Sequence, residues 1–170
     1  MGKMAAVSKL EENIPSLRRY SRSLLRNAAD ADDLVQDCLV RALERMDTLR
    51  TEDDPRPWLF TIMHSIFVNR WHRITNSARL LSERGETDVA EAPSQEATVQ
   101  FQDVLRGLDT LPEEQRETLL LVAVEGFQYD EVAKMLDVPI GTVMSRLSRG
   151  RDKLGHFMQG RERPMLRRVK

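Results

Sequence analysis

Thr142, Ser145, Arg146, Arg149 and Lys153 recur three and four residues apart, which sets hydroxyls and cations along one face of a helix. Short side chains at Thr142, Ser145 and Ser148 let such a helix sit deep in a groove, from which Arg146, Arg149 and Arg151 reach phosphate oxygens or guanine edges. Behind that face Val143, Leu147 and Leu154 form an inward stripe. Upstream, Val132, Ala133 and Leu136 give a shorter helix one apolar side, and Ala133 is small enough to let a second helix cross closely. Asp137, Val138 and Pro139 break the pattern between them. Pro139 suits the first position of the new helix, near Ile140, because its missing N–H has no intrahelical partner to lose. Two short helices across a tight turn, the second rich in Arg, have the pattern of a helix-turn-helix, the expected reader of a DNA major groove. A generic solvated face would carry Glu and Lys instead.

A second cluster, Asn69-Arg70-Trp71-His72-Arg73, joins cations to an aromatic ring with no carboxylate nearby. That composition suits stacking on unpaired bases beside a phosphate chain; it equally suits a core Trp71 whose Arg neighbours complement a helix C-terminus. The element that carries it is a helix from Trp58 to Arg73, started at Pro55 and Pro57. It is apolar on two sides, through Trp58, Leu59, Ile62 and Ile66 and through Phe60, Met63, Phe67 and Trp71, so it must be largely covered. A third cluster is acidic and amide-rich: Asp33, Gln36, Asp37, Arg41 and Glu44 share one stripe of a helix from Ala31 to about Met46, capped by Asp30. On this reading Leu34, Val35, Cys38, Leu39, Ala42 and Leu43 pack inward. An earlier helix spans 10–28, with Leu10, Ile14, Leu17, Tyr20, Leu24 and Leu25 on one side and Arg18, Arg19, Arg22 and Arg26 on the other.

The 170 residues carry a net charge of only −1, but the charges are segregated. Residues 55–82 hold four Arg and no acid, residues 83–137 hold fourteen acids and four basic residues, and residues 138–170 hold nine basic residues and two acids. Screening limits electrostatic reach to about 10 Å, so a phosphate chain responds to these local islands rather than to the total. The single cysteine, Cys38, excludes an internal disulfide and a multi-Cys zinc site and reads as a small buried hydrophobe. His64, His72 and His156 lack carboxylates at ligand spacing, so neither metal nor cofactor is expected. No nucleophile, base and orienting group stand together, which argues against an enzyme. No apolar run approaches the ~20 residues of a membrane span and the N-terminus lacks an apolar signal core, so a cytoplasmic, nucleoid-associated chain without membrane insertion is expected.

Residues 75–97 are polar and acidic, with Gly85 and Pro93, and have the composition of a linker. Helical periodicity returns from Thr98 through Val104, Leu105 and Leu108, stops at Leu111-Pro112, and resumes through Leu119, Leu120 and Val122 to Gly126. No segment alternates like a strand. The expectation is an all-α chain of two small helical domains joined by a flexible acidic linker, the C-terminal one holding the helix-turn-helix.

Taken together and in this order, the segments resemble the bacterial RNA polymerase sigma factors of the sigma-70 family, in particular the small two-domain extracytoplasmic-function (ECF) group. DADDLVQDCLVRAL at 30–43 looks like the region that docks on the polymerase clamp helices, RPWLFTIMHSIFVNRWHR at 56–73 resembles the region that opens the minus-10 element, and 111–154 is similar to the region that reads the minus-35 element. The resemblance implies a region 2 domain at 1–78, a linker at 79–97, a region 4 domain at 98–160 and a basic tail at 161–170. It implies polymerase contacts at Asp33, Leu34, Gln36, Asp37 and Arg41. It implies minus-10 contacts at His64, Ser65, Asn69, Arg70, Trp71, His72 and Arg73. It implies minus-35 contacts at Thr142, Met144, Ser145, Ser148 and Arg149, with Arg146 and Arg151 on phosphates. The implied partners are core RNA polymerase, promoter DNA as duplex and as melted strand, and an anti-sigma factor. The chain departs from the family pattern at His64-Ser65, where Arg-Asn is common, at Asn69 for a frequent Asp, at Met144 for Lys or Arg, and at Leu43 for Trp, which reads as a packing difference.

Two other readings remain. A helix-turn-helix regulator acting without polymerase explains 126–154 but leaves the Asp33/Gln36/Asp37 stripe and the basic Trp58–Arg73 helix without a task. A sigma mimic that titrates an anti-sigma factor would be expected to carry a receiver domain.

Overall fold

The computed structural model describes the backbone of residues 2–25, 27–49, 54–81 and 99–162, and within these the side chains of 7–25, 27–49, 54–70 and 102–160. Every regular element described is helical. Helices α1 (Gly2–Leu24), α2 (Ala28–Glu44) and α3 (Pro55–Leu81) form an N-terminal group; α4 (Val99–Asp109), α5 (Glu113–Leu119), α6 (Tyr129–Leu136) and α7 (Ile140–Glu162) form a C-terminal one. The first element begins at Gly2 and ends at Leu24, earlier at both ends than its apolar spacing indicated.

Helix α2 is capped by Asn27, not Asp30: the Asn27 side-chain oxygen accepts from the N–H groups of Ala29 and Asp30 at 2.8 and 3.1 Å. The helix ends at Glu44, and a 3-10 turn at Met46–Thr48 follows. Ala31, Leu34, Val35, Cys38 and Ala42 are buried as their spacing requires, but Leu43 is 53% exposed. It lies roughly 120° around the helix from the centre of that stripe. At α3 the Asp54 carboxylate accepts the Arg56 N–H at 3.0 Å, and Pro55 and Pro57 occupy the first turn, where N–H groups lack helical partners. Leu59, Phe60, Ile62, Met63 and Phe67 are buried. Helix α3 continues to Leu81, through residues 75–81 whose polar composition reads as linker.

In the C-terminal group, α5 runs into a π turn at Leu120–Val124, with the Glu125 N–H donating to the Leu120 carbonyl at 3.0 Å. Gly126, at φ 75°, ends it in the left-handed region that glycine alone enters cheaply. At the start of α6 the Gln128 N–H donates to the Glu131 carboxylate at 2.8 Å. Asp137 closes α6 at φ 52°, the Val138 N–H donates to the Ala133 carbonyl at 3.0 Å, and the Pro139 carbonyl accepts from the N–H groups of Thr142 and Val143 in the first turn of α7. This is the three-residue turn expected at 137–139. Val132, Met135, Leu136, Val143 and Leu147 are buried where α6 crosses α7. Where α4 meets the far end of α7, a Cβ on Gly107 would collide with Leu154 and Phe157.

The two groups pack on each other. Tyr20 meets Phe60 edge-to-face (5.1 Å, 63°) and Phe60 meets Phe127 the same way (5.0 Å, 69°), so an aromatic run passes from α1 through α3 to the segment before α6. The Arg56 guanidinium stands 4.4 Å from the centre of the Phe127 ring.

Candidate nucleic-acid interface

On α2, Asp33, Gln36, Asp37, Arg41 and Glu44 are all exposed, as their shared stripe requires. Leu34 is not: it has no exposed surface and belongs to the core, because it falls on the stripe of Ala31, Cys38 and Ala42. The open face instead carries two apolar side chains that the sequence reading missed, Val40 (51% exposed) and Leu43. Their signal was available in the spacing, since Val40 lies three and four residues from Asp37 and Gln36, and Leu43 lies seven, two helical turns, from Gln36.

A groove of about 600 Å3 between α2 and α3 is lined by Asp37, Val40, Arg41, Glu44, Ile66, Asn69 and Arg70. It brings candidate polymerase contacts and candidate minus-10 contacts onto one surface. Arg70 ties the two sets together, with its Nη2 3.1 Å from Asp30 and 3.5 Å from Asp33. Ser65 and Asn69 are exposed. His64 is not free: its Nδ1 lies 2.7 Å from Glu117 Oε1 on α5, and its side chain is only 19% exposed. The side chains of Trp71, His72 and Arg73 lie outside the described residues, although α3 carries their backbone.

On α7, Met144, Ser148, Arg149 and Arg151 are exposed. Met144, Ser148 and Arg151, spaced four and three apart, line a groove of about 200 Å3 with Tyr129, Leu147 and Asp152. Thr142 and Ser145 are half-buried, and the Ser145 hydroxyl donates to the Thr142 carbonyl at 3.0 Å. Arg146 turns away from this face to pair with Glu114 at 2.9 Å, at 20% side-chain exposure, so here it braces α7 against α5.

Sequence reasoning missed a third cluster altogether. Glu117 and Glu125 are each 4% exposed. The Glu117 carboxylate accepts from the Tyr20 hydroxyl at 3.1 Å and faces His64; Glu125 accepts from Arg19 (3.0 and 2.8 Å) and Arg56 (2.9 Å), and Arg56 also donates to the Glu125 carbonyl at 2.7 Å. Burial, followed by the Glu117 charge, pushes the Tyr20 hydroxyl well above its ordinary range. Beside them Glu113 is raised to about 7, first by burial and then by Glu117. The sequence did carry a signal, because Glu117 stands three and four residues before Leu120 and Leu121 and therefore on an inward face. Cys38, by contrast, is as expected: fully buried, its thiol pushed up to about 12 by desolvation, its Sγ 3.4 Å from the Leu59 carbonyl.

Residues 10–64 match the family model for the sigma2 domain of PhyR, and residues 101–154 match the model for sigma-70 region 4. The ECF RNA polymerase sigma factor EcfG of Rhodopseudomonas palustris is 36% identical over 145 residues, covering 85% of this chain and 80% of that one. The ferric citrate uptake sigma factor FecI of Escherichia coli is 34% identical over 133 residues, 75% of each. Among solved structures, the sigma factor RpoE of Bartonella quintana, in complex with the anti-sigma factor NepR, superposes with a TM-score of 0.79 at 30% identity over 89% of this chain and 95% of that one. The chain belongs to the ECF sigma factors of the sigma-70 family. No described helix is long and apolar enough to cross a membrane.

Proposed function

We propose that this chain binds core RNA polymerase and directs initiation at a particular class of promoter. The open face of α2 docks on the polymerase, through Asp33, Gln36, Asp37 and Arg41 around Val40 and Leu43. Its carboxylates steer it to a basic surface, and the two apolar side chains give up water at the contact. The outward face of α7 enters the minus-35 major groove, where Ser148 and Arg149 meet base edges and Arg151 meets phosphate. The second half of α3, from His64 to Arg73, captures the strand displaced at minus-10, by stacking and phosphate neutralisation. Residues 1–78 and 98–160 act as the two working modules. The chain performs no bond chemistry; binding energy gained on the single strand favours melting.

The observation that carries this reading is the exposed hydroxyl-and-guanidinium face of α7 behind a well-formed helix-turn-helix, on the same chain as an open acidic and apolar α2 face. An anti-sigma partner is supported by the NepR-bound relative. A second reading, titration of an anti-sigma factor, is favoured by the match of residues 10–64 to a PhyR domain. Association with core polymerase separates the two: co-sedimentation of purified chain with core enzyme, lost in Asp37→Arg, supports the initiation factor, and no association leaves titration.

A further inference from the structure

We propose, on the promoter reading above, that the first turns of α7 select thymine in the minus-35 element by apolar contact: Met144 packs against a thymine C5-methyl group on the floor of the major groove, and Ile140 closes that contact on its N-terminal side. The pair adds a choice of base to the hydroxyl and guanidinium face already described.

Ile140 and Met144 are two of the large apolar side chains left open among the described residues, at 45% and 49% exposure. Single apolar residues on a surface are ordinary. These two lie four residues apart, neighbours on one side of α7, and Ser148 continues their line one turn further. In a helix-turn-helix the N-terminal part of the second helix is the part that meets base edges. Met144 also lines the groove of about 200 Å3 with Ser148, Arg151 and Tyr129, so the apolar line runs into hydroxyls and a cation that suit a sugar-phosphate rim. A duplex is the occupant that satisfies both kinds of group at once.

The polar side chains nearest this pair are engaged within the chain. The Ser145 hydroxyl donates to the Thr142 carbonyl at 3.0 Å, and Arg146 pairs with Glu114 at 2.9 Å. From Ile140 to Arg146 the exposed residues are then Ile140, Gly141 and Met144. A Cβ on Gly141 would meet nothing within 4 Å, so no packing inside the chain calls for glycine there; its bare backbone lets the start of α7 approach the groove floor closely. The Met144 side chain carries no hydrogen-bond donor and only a weak acceptor, so it does not sort bases by their polar edges. It sorts them by the C5-methyl, which thymine alone of the four bases presents in the major groove. Its unbranched, polarisable thioether fits that methyl without demanding one fixed geometry.

Uracil in place of thymine removes the C5-methyl and keeps every hydrogen-bonding edge, so the contact can be deleted from the DNA side as well as from the protein. The full chain, assembled with core polymerase, recovers minus-35 elements from a random duplex pool; each thymine of the recovered element is then replaced in turn by uracil, and half-saturation is read by fluorescence anisotropy. With the unaltered chain, at least one uracil should weaken binding about fourfold, the equivalent of ~0.8 kcal/mol for one methyl withdrawn from water. With Met144→Ala the same replacement should cost less than about twofold. Met144→Lys, which sets a donor cation at that place, should exchange the preference for thymine for one for guanine. Met144 is exposed, so neither substitution disturbs the core. A recovered element without thymine, uracil that is neutral at every thymine, a penalty undiminished in Met144→Ala, or a thymine preference kept by Met144→Lys overturns the methyl contact. An element that Arg149→Ala disturbs but uracil does not sinks the contact and leaves the promoter reading standing. Recovery of no shared element sinks the promoter reading, and the contact with it.

Discussion

Tyr20 and Glu117 lie 97 residues apart in sequence and meet at 3.1 Å, so a double-mutant cycle on this pair reads the contact between the two halves in solution. Tyr20→Phe deletes one hydroxyl and almost no volume. A hydrogen bond to a charged acceptor contributes about 1.5–3 kcal/mol, and Glu117 retains His64 at 2.7 Å, so a loss of about 1–2 kcal/mol is expected. Glu117→Ala removes the acceptor and leaves a fully buried phenol without a partner, adding a desolvation penalty of about 1–3 kcal/mol for a loss of about 2–4 kcal/mol. The double variant has neither the stranded hydroxyl nor the bond, so the coupling energy should be about 1–2 kcal/mol. Urea denaturation followed by circular dichroism measures it: with a slope near 2 kcal/mol per molar, the coupling corresponds to about 0.5–1 M in midpoint. Additivity within about 0.3 kcal/mol would mean that the hydroxyl and carboxylate do not meet, and the packed arrangement would have to be abandoned.

Other outcomes follow from single residues. Glu113 is raised in the folded chain from its ordinary 4.5 to about 7, so between those values the folded state holds a proton that the unfolded chain has released. Its contribution is therefore fully present below pH 4.5 and lost as the pH rises through about 7. Glu113→Gln should flatten that slope and leave the chain more stable than its parent at pH 8, as thermal unfolding across a pH series will read; an unchanged slope would count against the half-buried setting beside Glu117. Arg149→Ala should weaken binding to cognate minus-35 duplex by about 1–3 kcal/mol and relax choice at one base pair, whereas Arg151→Ala should weaken cognate and scrambled duplexes alike and lower the salt slope by about 1. Equal losses on both duplexes for Arg149→Ala in fluorescence anisotropy would remove it from base reading. Asp37→Arg should abolish polymerase association while leaving the unfolding free energy within about 0.5 kcal/mol of the parent, since Asp37 is exposed; retained association would move docking off α2.

The helix-turn-helix was legible because its signals are local. Asp137 in the left-handed region, Pro139 before Ile140, and the stripe of Val143 and Leu147 each follow from residue type within a few positions. Signals that compete locally were harder to rank. Asn27 and Asp30 are both good caps three residues apart, and the earlier one wins because it lets Ala28 and Ala29, strong helix formers, join the first turn. The polar stretch 75–81 has no apolar stripe to announce a helix, yet α3 propagates through it, because extending an existing helix adds a backbone bond for each residue fixed. Spacing placed both Leu34 and Leu43 inward; burial bears out Leu34, against the partner role that the resemblance gave it, and overturns Leu43. Least legible were Glu117 and Glu125, whose partners on α1 and α3 lie 53 to 106 residues upstream. An acid on an inward face announces that it needs a partner but does not name it. The same pairing engages His64, and the Glu114 pairing holds Arg146, so two residues assigned to DNA are half-buried and paired within the chain.

Run-off transcription with purified chain and core polymerase on a library of genomic fragments, with start sites mapped, tests initiation most directly. The expected result is a set of discrete starts that vanish without the chain, share sequence near minus-35 and minus-10, and are lost with Asp37→Arg. Starts that are random, or identical with and without the chain, would contradict it.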